Sequence, residues 1–206
     1  MHDHFRKIVL ASGNAGKVRE INELFSGNGI EVVPQSEYDV PEVPETGTTF
    51  VENAIIKARH AAELTGLPAI ADDSGIEVDI LDHRPGVYSA RYAGEHASDY
   101  DNNSKMLAEL KGLPDSERTA RYHCVLVFMR SATDPAPIIT QGSWEGSILQ
   151  EPRGEGGFGY DPIFFVPTHN CSGGELPLEV KNTISHRAHA LEAMLDEFRH
   201  HRYIDD

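Results

Sequence analysis

The 206-residue chain is short of several things, and each shortage narrows what it can be. It has two cysteines, Cys124 and Cys171. They lie far apart and belong to no CxxC pair, so neither a disulfide framework nor a zinc site is expected and a cytoplasmic setting fits. Basic residues are scarce: 18 Lys and Arg stand against 33 Asp and Glu, a net charge of −15 with histidines neutral. Such a surface repels phosphate backbones and anionic lipid, which argues against a general nucleic-acid polymer or membrane-surface binder. Long apolar runs are missing. The charged start Met1-His-Asp-His-Phe-Arg-Lys7 leads into no hydrophobic segment of the kind that signal peptides or membrane spans need. There is no internal repeat or low-complexity tract either. What remains, at 39% hydrophobic and 25% charged residues, is a soluble globular composition. One domain over residues 1–206 is expected, burying roughly 70% of its unfolded surface without staples.

The patterning then gives the elements. Ile8-Val-Leu-Ala11 reads as a buried strand, and Val18, Ile21, Leu24 and Phe25 recur at helical spacing. Thr49-Phe-Val-Glu52 is a capping-box pattern opening a second helix, with Phe50, Ala54, Ala58 and Ala61 as its stripe and Gly66-Leu-Pro68 as its stop. Ala69-Ile-Ala71 reads as a short strand leading into a polar turn, Asp72-Asp-Ser-Gly75, from which Ile76, Val78 and Ile80 return in a hairpin-like unit. A helix is expected around Met106, Leu107 and Leu110, and strands over Thr119 to Arg130 and Ile138 to Leu149. After a glycine-rich loop come the strand Ile163-Phe-Phe-Val166 and a last helix, starting at Ser185 and carrying Leu191, Met194, Leu195 and Phe198. Strands alternating with helices, some joined by short turns, make an α/β protein: three layers around a mixed sheet.

Four segments bear on chemistry. Ser12-Gly-Asn-Ala-Gly-Lys17 sits between strand and helix, where free N–H groups favour a phosphate. It is not a Walker A loop, because Gly13 and Gly16 are too close and Val18 follows Lys17. The alternative is a tight turn with a solvated lysine. Glu45, Asp72 and Asp73 form an acidic set that a hard cation such as Mg²⁺ would make tolerable. Neighbours in an extended chain point to opposite faces, so one of Asp72 and Asp73 is expected to be structural; a plain Asx-rich turn is the alternative. Gly154-Glu-Gly-Gly-Phe-Gly159 matches GxGxxG only formally, since it follows Pro152 and enters a strand through Asp161-Pro162 rather than opening a helix. Its glycines suit close approach to a planar or phosphorylated ligand, with Phe158 or Tyr160 available to stack. Lys181-Asn-Thr-Ile-Ser-His-Arg187 groups two cations and an imidazole near the start of the last helix, where they oppose the dipole unless a base or phosphate approaches.

In this order the segments resemble the inosine triphosphate pyrophosphatase family, also called the Ham1 or non-standard purine nucleoside triphosphate pyrophosphatases. Further shared stretches are Glu45-Thr-Gly-Thr-Thr-Phe50 with Glu52-Asn-Ala54, and Pro85-Gly-Val-Tyr-Ser-Ala-Arg91. The likeness spans nearly the whole chain. It implies two lobes around a central cleft, a homodimer in the cytoplasm, and Mg²⁺-dependent hydrolysis of ITP, dITP or XTP to the monophosphate and pyrophosphate. By position it implies Ser12, Gly13, Asn14, Ala15, Gly16 and Lys17 on the triphosphate, Lys57 as a phosphate contact and Ser74 as a substrate contact. Asp73 would be general base and metal ligand, and Glu45 a further metal ligand or a water-orienting carboxylate. Phe158, Gly159, Tyr160, Asp161, Lys181, His186 and Arg187 would form the base and sugar pocket. Two rivals are a Maf-like pyrophosphatase for modified pyrimidine nucleotides and a nucleotide sensor without turnover.

Overall fold

A computed structural model of the chain describes residues 5–13 and 15–204, so Asn14 of the expected phosphate loop lies outside the described residues. Among those residues the strands are β1 (Lys7–Leu10), β2 (Glu31–Pro34), β3 (Ala69–Val78), β4 (Thr119–Met129), β5 (Ile138–Ile148), β6 (Phe164–Val166) and β7 (Cys171–Ser172). The α-helices are α1 (Ala15–Ser26), α2 (Phe50–Thr65), α3 (Asp99–Glu109), α4 (Leu178–Ile184) and α5 (His186–His200). The strands pair in the order β2-β1-β3-β4-β5-β6-β7. β1 runs parallel to β2 and β3, whereas β6 is antiparallel to β5 and β7, so the sheet is mixed as the sequence implies.

The chain divides into two compact units, one formed by the residues up to Asp73 with Val125–Gln141 and those from Ala190, the other by Ser74–Cys124 and Gly142–His189. In the first unit the period of two along each strand sorts side chains into two cores. Val9, Ala11, Ala69, Ala71, Val125 and Val127 pack against Ala54, Ala58, Ala61 and Ala62 of α2. The intervening Ile8, Leu10, Ile70 and Phe128 are equally buried, and theirs is the side of α1 and α5: the Phe198 ring lies 5.2 Å from that of Phe25 and 4.7 Å from that of Phe128. This unit therefore has three layers. α2 begins where the capping box placed it, with Thr49 Oγ1 accepting from Glu52 N, and it ends at Gly66 in the left-handed conformation.

The expected hairpin at residues 69–80 is not there. Ala69–Val78 is one ten-residue strand, and Ile80 lies in a following 3₁₀ turn, half exposed. Asp-Asp-Ser-Gly is a strong turn signal only when its carboxylates cap their own backbone. Here both are drawn off to lysines, and the backbone stays extended.

The second unit's core contains Ile76, Val78, Met106, Leu110, Tyr122, Trp144, Ile148, Tyr160, Ile163 and Phe164. Arg118, 1% exposed, donates to the carbonyls of Leu110, Ile148 and Leu149 at 2.6, 2.7 and 2.5 Å. Its charge is compensated by these dipoles, and burial lowers its pKa.

After β4 the chain is held by Asp134, which accepts from the backbone N–H of Arg130 and Ala136 at 2.9 and 3.0 Å and from the Arg130 guanidinium. The hydrogen bonds from Arg130 keep its carboxyl far below the usual range. Asp134→Ala is expected to cost about 1–3 kcal/mol, the penalty for orphaned partners, measured by urea unfolding at neutral pH. Because the folded pKa is depressed, this contribution is complete above the unfolded carboxylate pKa and fades as pH falls toward the folded one. The wild-type and variant stabilities should thus converge in acid.

Candidate functional site

In the first unit the strand parity separates the two aspartates. Asp72 continues the Ile8/Ile70 side and meets α1, its Oδ2 lying 2.7 Å from Lys17 Nζ. Asp73 continues the Ala69/Ala71 side and meets α2, its Oδ1 accepting from Lys57 Nζ at 3.0 Å. The same Lys57 ammonium pairs with Glu45 Oε1 at 2.8 Å. One lysine thus ties two carboxylates from separate segments, and a second lysine holds Asp72. Burial is the largest influence on Lys57 and opposes its charge, but Asp73, Asp72 and Glu45 outweigh it and hold its pKa above the ordinary lysine value. For Asp73 burial also leads and here prevails: with help from Glu45 and Asp72, and against Lys57, it raises the carboxyl above the ordinary range. Asp73 Oδ2 is buried with no hydrogen-bond partner. A buried carboxylate oxygen left open this way has its lone pairs available for a proton or a cation.

Glu45 owes its place to the start of α2. Asn53 Oδ1 accepts from Gly47 N at 2.8 Å, and a Cβ at position 47 would come within 2.6 Å of Glu52 Cβ and 2.7 Å of Asn53 Oδ1. Only glycine fits that approach. Ser12 and Gly13 precede the N-terminus of α1, and Ala15 and Gly16 form its first turn, as the phosphate-loop reading requires.

The second unit gathers the base-pocket candidates. Phe158 is half exposed. Lys181 Nζ lies 4.5 Å, and Arg187 Cζ 5.7 Å, from the centroid of its ring, within cation–π range. Asp161, 1% exposed, pairs with Lys181 and accepts from Phe158 N at 2.8 Å. Arg187 Nη2 is 3.5 Å from Ser74 Oγ. The His186 ring stacks on Tyr122, with centroids 4.6 Å apart and planes 7° from parallel, and Trp144 lies beyond at 6.4 Å.

Two readings change. Tyr160 is not a stacking surface: it is 4% exposed in the core, and its hydroxyl donates to Ser89 O at 2.7 Å. Lys181, read as a cation near the start of the last helix that opposes its dipole, is held otherwise. It stands in the last turn of the separate α4, where a cation complements the dipole. Ser185 caps α5 as expected, accepting from Ala188 N at 3.3 Å. Sequence reading passed over Asp99, Asn103, Tyr122 and Trp144. The signal was faint: a buried asparagine inside a helix is a poor helix former kept for its side chain.

Gly157 has φ +75°, and a Cβ there would fall 2.2 Å from Asp161 Oδ2. Asp161 is anchored by Lys181 and cannot retreat. Gly157→Ala is accordingly expected to lower stability by about 1–3 kcal/mol through left-handed strain and contact, read as a lower melting temperature.

Comparisons with known proteins find similar sequences and structures. A family model described as Ham1 family matches residues 8–197. A dITP/XTP pyrophosphatase of Vibrio parahaemolyticus is 64% identical over 92% of this chain and 94% of its own, and one from Escherichia coli is 58% identical over 94% and 98%. Among solved structures, a HAM1 protein from Coxiella burnetii matches with TM-score 0.90 and 52% identity, covering 94% of this chain and 98% of its own. A nucleoside-triphosphatase / dITP/XTP pyrophosphatase from Mycobacterium abscessus matches with TM-score 0.75 and 42% identity, over 92% and 98%.

Proposed function

The chain belongs to the Ham1 family, and from that premise we propose how its residues divide the hydrolysis of deaminated purine nucleoside triphosphates. The protein is a pyrophosphatase that cleanses the nucleotide pool, with dITP and XTP as the substrates named for its relatives. The observation that carries the mechanism is Asp73: buried, one oxygen fixed by Lys57, the other open.

The reaction is attack by water on the α-phosphorus with pyrophosphate leaving. Asp73 Oδ2 takes the proton of that water; Lys57, holding Oδ1, fixes the direction in which Oδ2 faces. A carboxyl whose pKa is raised is a stronger base than an exposed aspartate. Lys17, presented by Asp72 at the start of α1, and the N–H groups there receive phosphate oxygens. Phe158 offers a face to the base, and Lys181, His186 and Arg187 supply its polar and cationic surroundings, with Ser74 beside Arg187.

Mg²⁺ fits the donor set. Among the described residues no three His, Cys, Asp or Glu converge as a self-sufficient metal cage. Mg²⁺ does not require one, since it binds through one or two carboxylates together with substrate phosphates and water. Asp73 and Glu45, tied to the same lysine, would hold it; when bound it would neutralise charge developing on the pyrophosphate. The homodimeric, cytoplasmic setting belongs to the same proposal. Among the described residues no helix is long and apolar enough to cross a membrane.

The deciding assay offers purified protein and Mg²⁺ a panel of ITP, dITP, XTP, GTP, ATP and modified pyrimidine triphosphates, and scores pyrophosphate against orthophosphate. Pyrophosphate from ITP, dITP and XTP is expected, with activity abolished by chelation. Turnover confined to modified pyrimidines would support the Maf-like rival. Orthophosphate release would indicate a phosphatase, and binding without turnover a sensor.

A further inference from the structure

The half-exposed Phe158 ring sits on a loop that has little reason to be rigid, since glycines flank it at 157 and 159 and both have positive φ, +75° and +61°. Yet its backbone is pinned. Phe158 N donates to Asp161 Oδ2 at 2.8 Å. Gly159 N donates to Asp99 Oδ2 at 2.7 Å, and Gly159 O accepts from Asn103 Nδ2 at 3.0 Å. Asp99 and Asn103 are four residues apart, so they lie on one face of α3, and together they satisfy both backbone groups of a single glycine. Asn103 is buried, and its Oδ1 has no hydrogen-bond partner. An asparagine that leaves one amide atom unsatisfied in order to hold a loop carbonyl is there for the loop and not for the helix.

We propose that Asp99 and Asn103 are positioning residues for base recognition: from α3 they clamp Gly159 and so fix the orientation of the Phe158 ring before substrate arrives. The inference rests on the reading of Phe158 as a surface for the base. The clamp acts by removing an ordering cost at binding. A stacking ring on an unpinned glycine loop must be immobilised when the base lands, at the expense of affinity, whereas a ring already held has lost that freedom in folding. Neither residue touches the phosphates, so the chemical step should not notice them.

The test compares the full-length wild-type protein with Asp99→Ala, Asp99→Asn, Asn103→Ala and Asn103→Asp. Asp99→Asn keeps an acceptor for Gly159 N–H, and Asn103→Asp replaces the donor by a second acceptor. Loss of one such hydrogen bond should raise KM for ITP by about 5- to 30-fold, with kcat within about twofold. Inosine monophosphate binding, followed calorimetrically, should weaken in parallel while pyrophosphate binding stays unchanged. Asp99→Asn should restore KM to near the wild-type value; Asn103→Asp should be at least as impaired as Asn103→Ala. The proposal is overturned if both alanine variants keep the wild-type KM, if kcat falls while KM does not move, or if pyrophosphate binding weakens as much as monophosphate binding. The underlying reading fails separately, by the wild-type protein binding no inosine monophosphate. In that event the Gly159 amide still reports on the clamp, because its hydrogen exchange must accelerate in Asp99→Ala for the clamp to stand.

Discussion

Asp73→Asn should lower kcat for ITP by about 10²- to 10⁴-fold, the range for a lost general base, while KM changes little. Asparagine has the same shape and can still take the Lys57 hydrogen bond through its carbonyl, so the α2 contact and the fold should survive. What disappears is the basicity of the buried, open oxygen. Steady-state kinetics at saturating Mg²⁺ distinguish this from a binding defect, and a near-normal kcat would remove Asp73 from the role of base. Without metal the Asp73 carboxyl is raised above the ordinary aspartate range, chiefly by burial, so a proton and Mg²⁺ compete for it and the apparent Mg²⁺ affinity should weaken as pH falls.

The second large effect is discrimination at the 6-position of the base. Hypoxanthine and xanthine present a carbonyl acceptor there and adenine an amino donor. The candidates around Phe158 in the second unit are Lys181 and Arg187, which carry donors only. An amino group facing them leaves donors opposed to donors, and a polar site left unpaired by the wrong base can discriminate by about 10⁴-fold. The kcat/KM for ITP should exceed that for ATP by that order. Comparable values for the two would mean that the cations of this unit do not read the base. Because the contrast lies in substrate chemistry, it can be measured on the wild-type protein alone, free of folding artefacts.

Much of this was legible in the residues. Strand and helix periodicity located β1, α1, α2, β4, β5 and α5, and the Thr49 capping box was visible as letters. The likeness to a known family carried the roles of single residues, which spacing alone could not. Two kinds of information stayed out of reach. One was competition for side chains: Asp72-Asp-Ser-Gly75 has turn chemistry by composition, and only the lysines of α1 and α2 keep its carboxylates from capping their own backbone. The other was support at a distance. Asp99 and Asn103 lie about sixty positions before the loop that they hold. Nothing local in either segment announces the partnership.

The continuous β3 strand has a consequence for which changes the gene can absorb. Asp72 and Asp73 differ in duty only because one residue falls on each side of the sheet. A conservative replacement at Ala69, Ile70 or Ala71 disturbs packing and leaves that assignment alone. Deleting a single codon among them would exchange the partners, swinging Asp73 toward the lysine of α1 and Asp72 toward that of α2. Variation in this stretch should therefore be permissive in letters and intolerant in length.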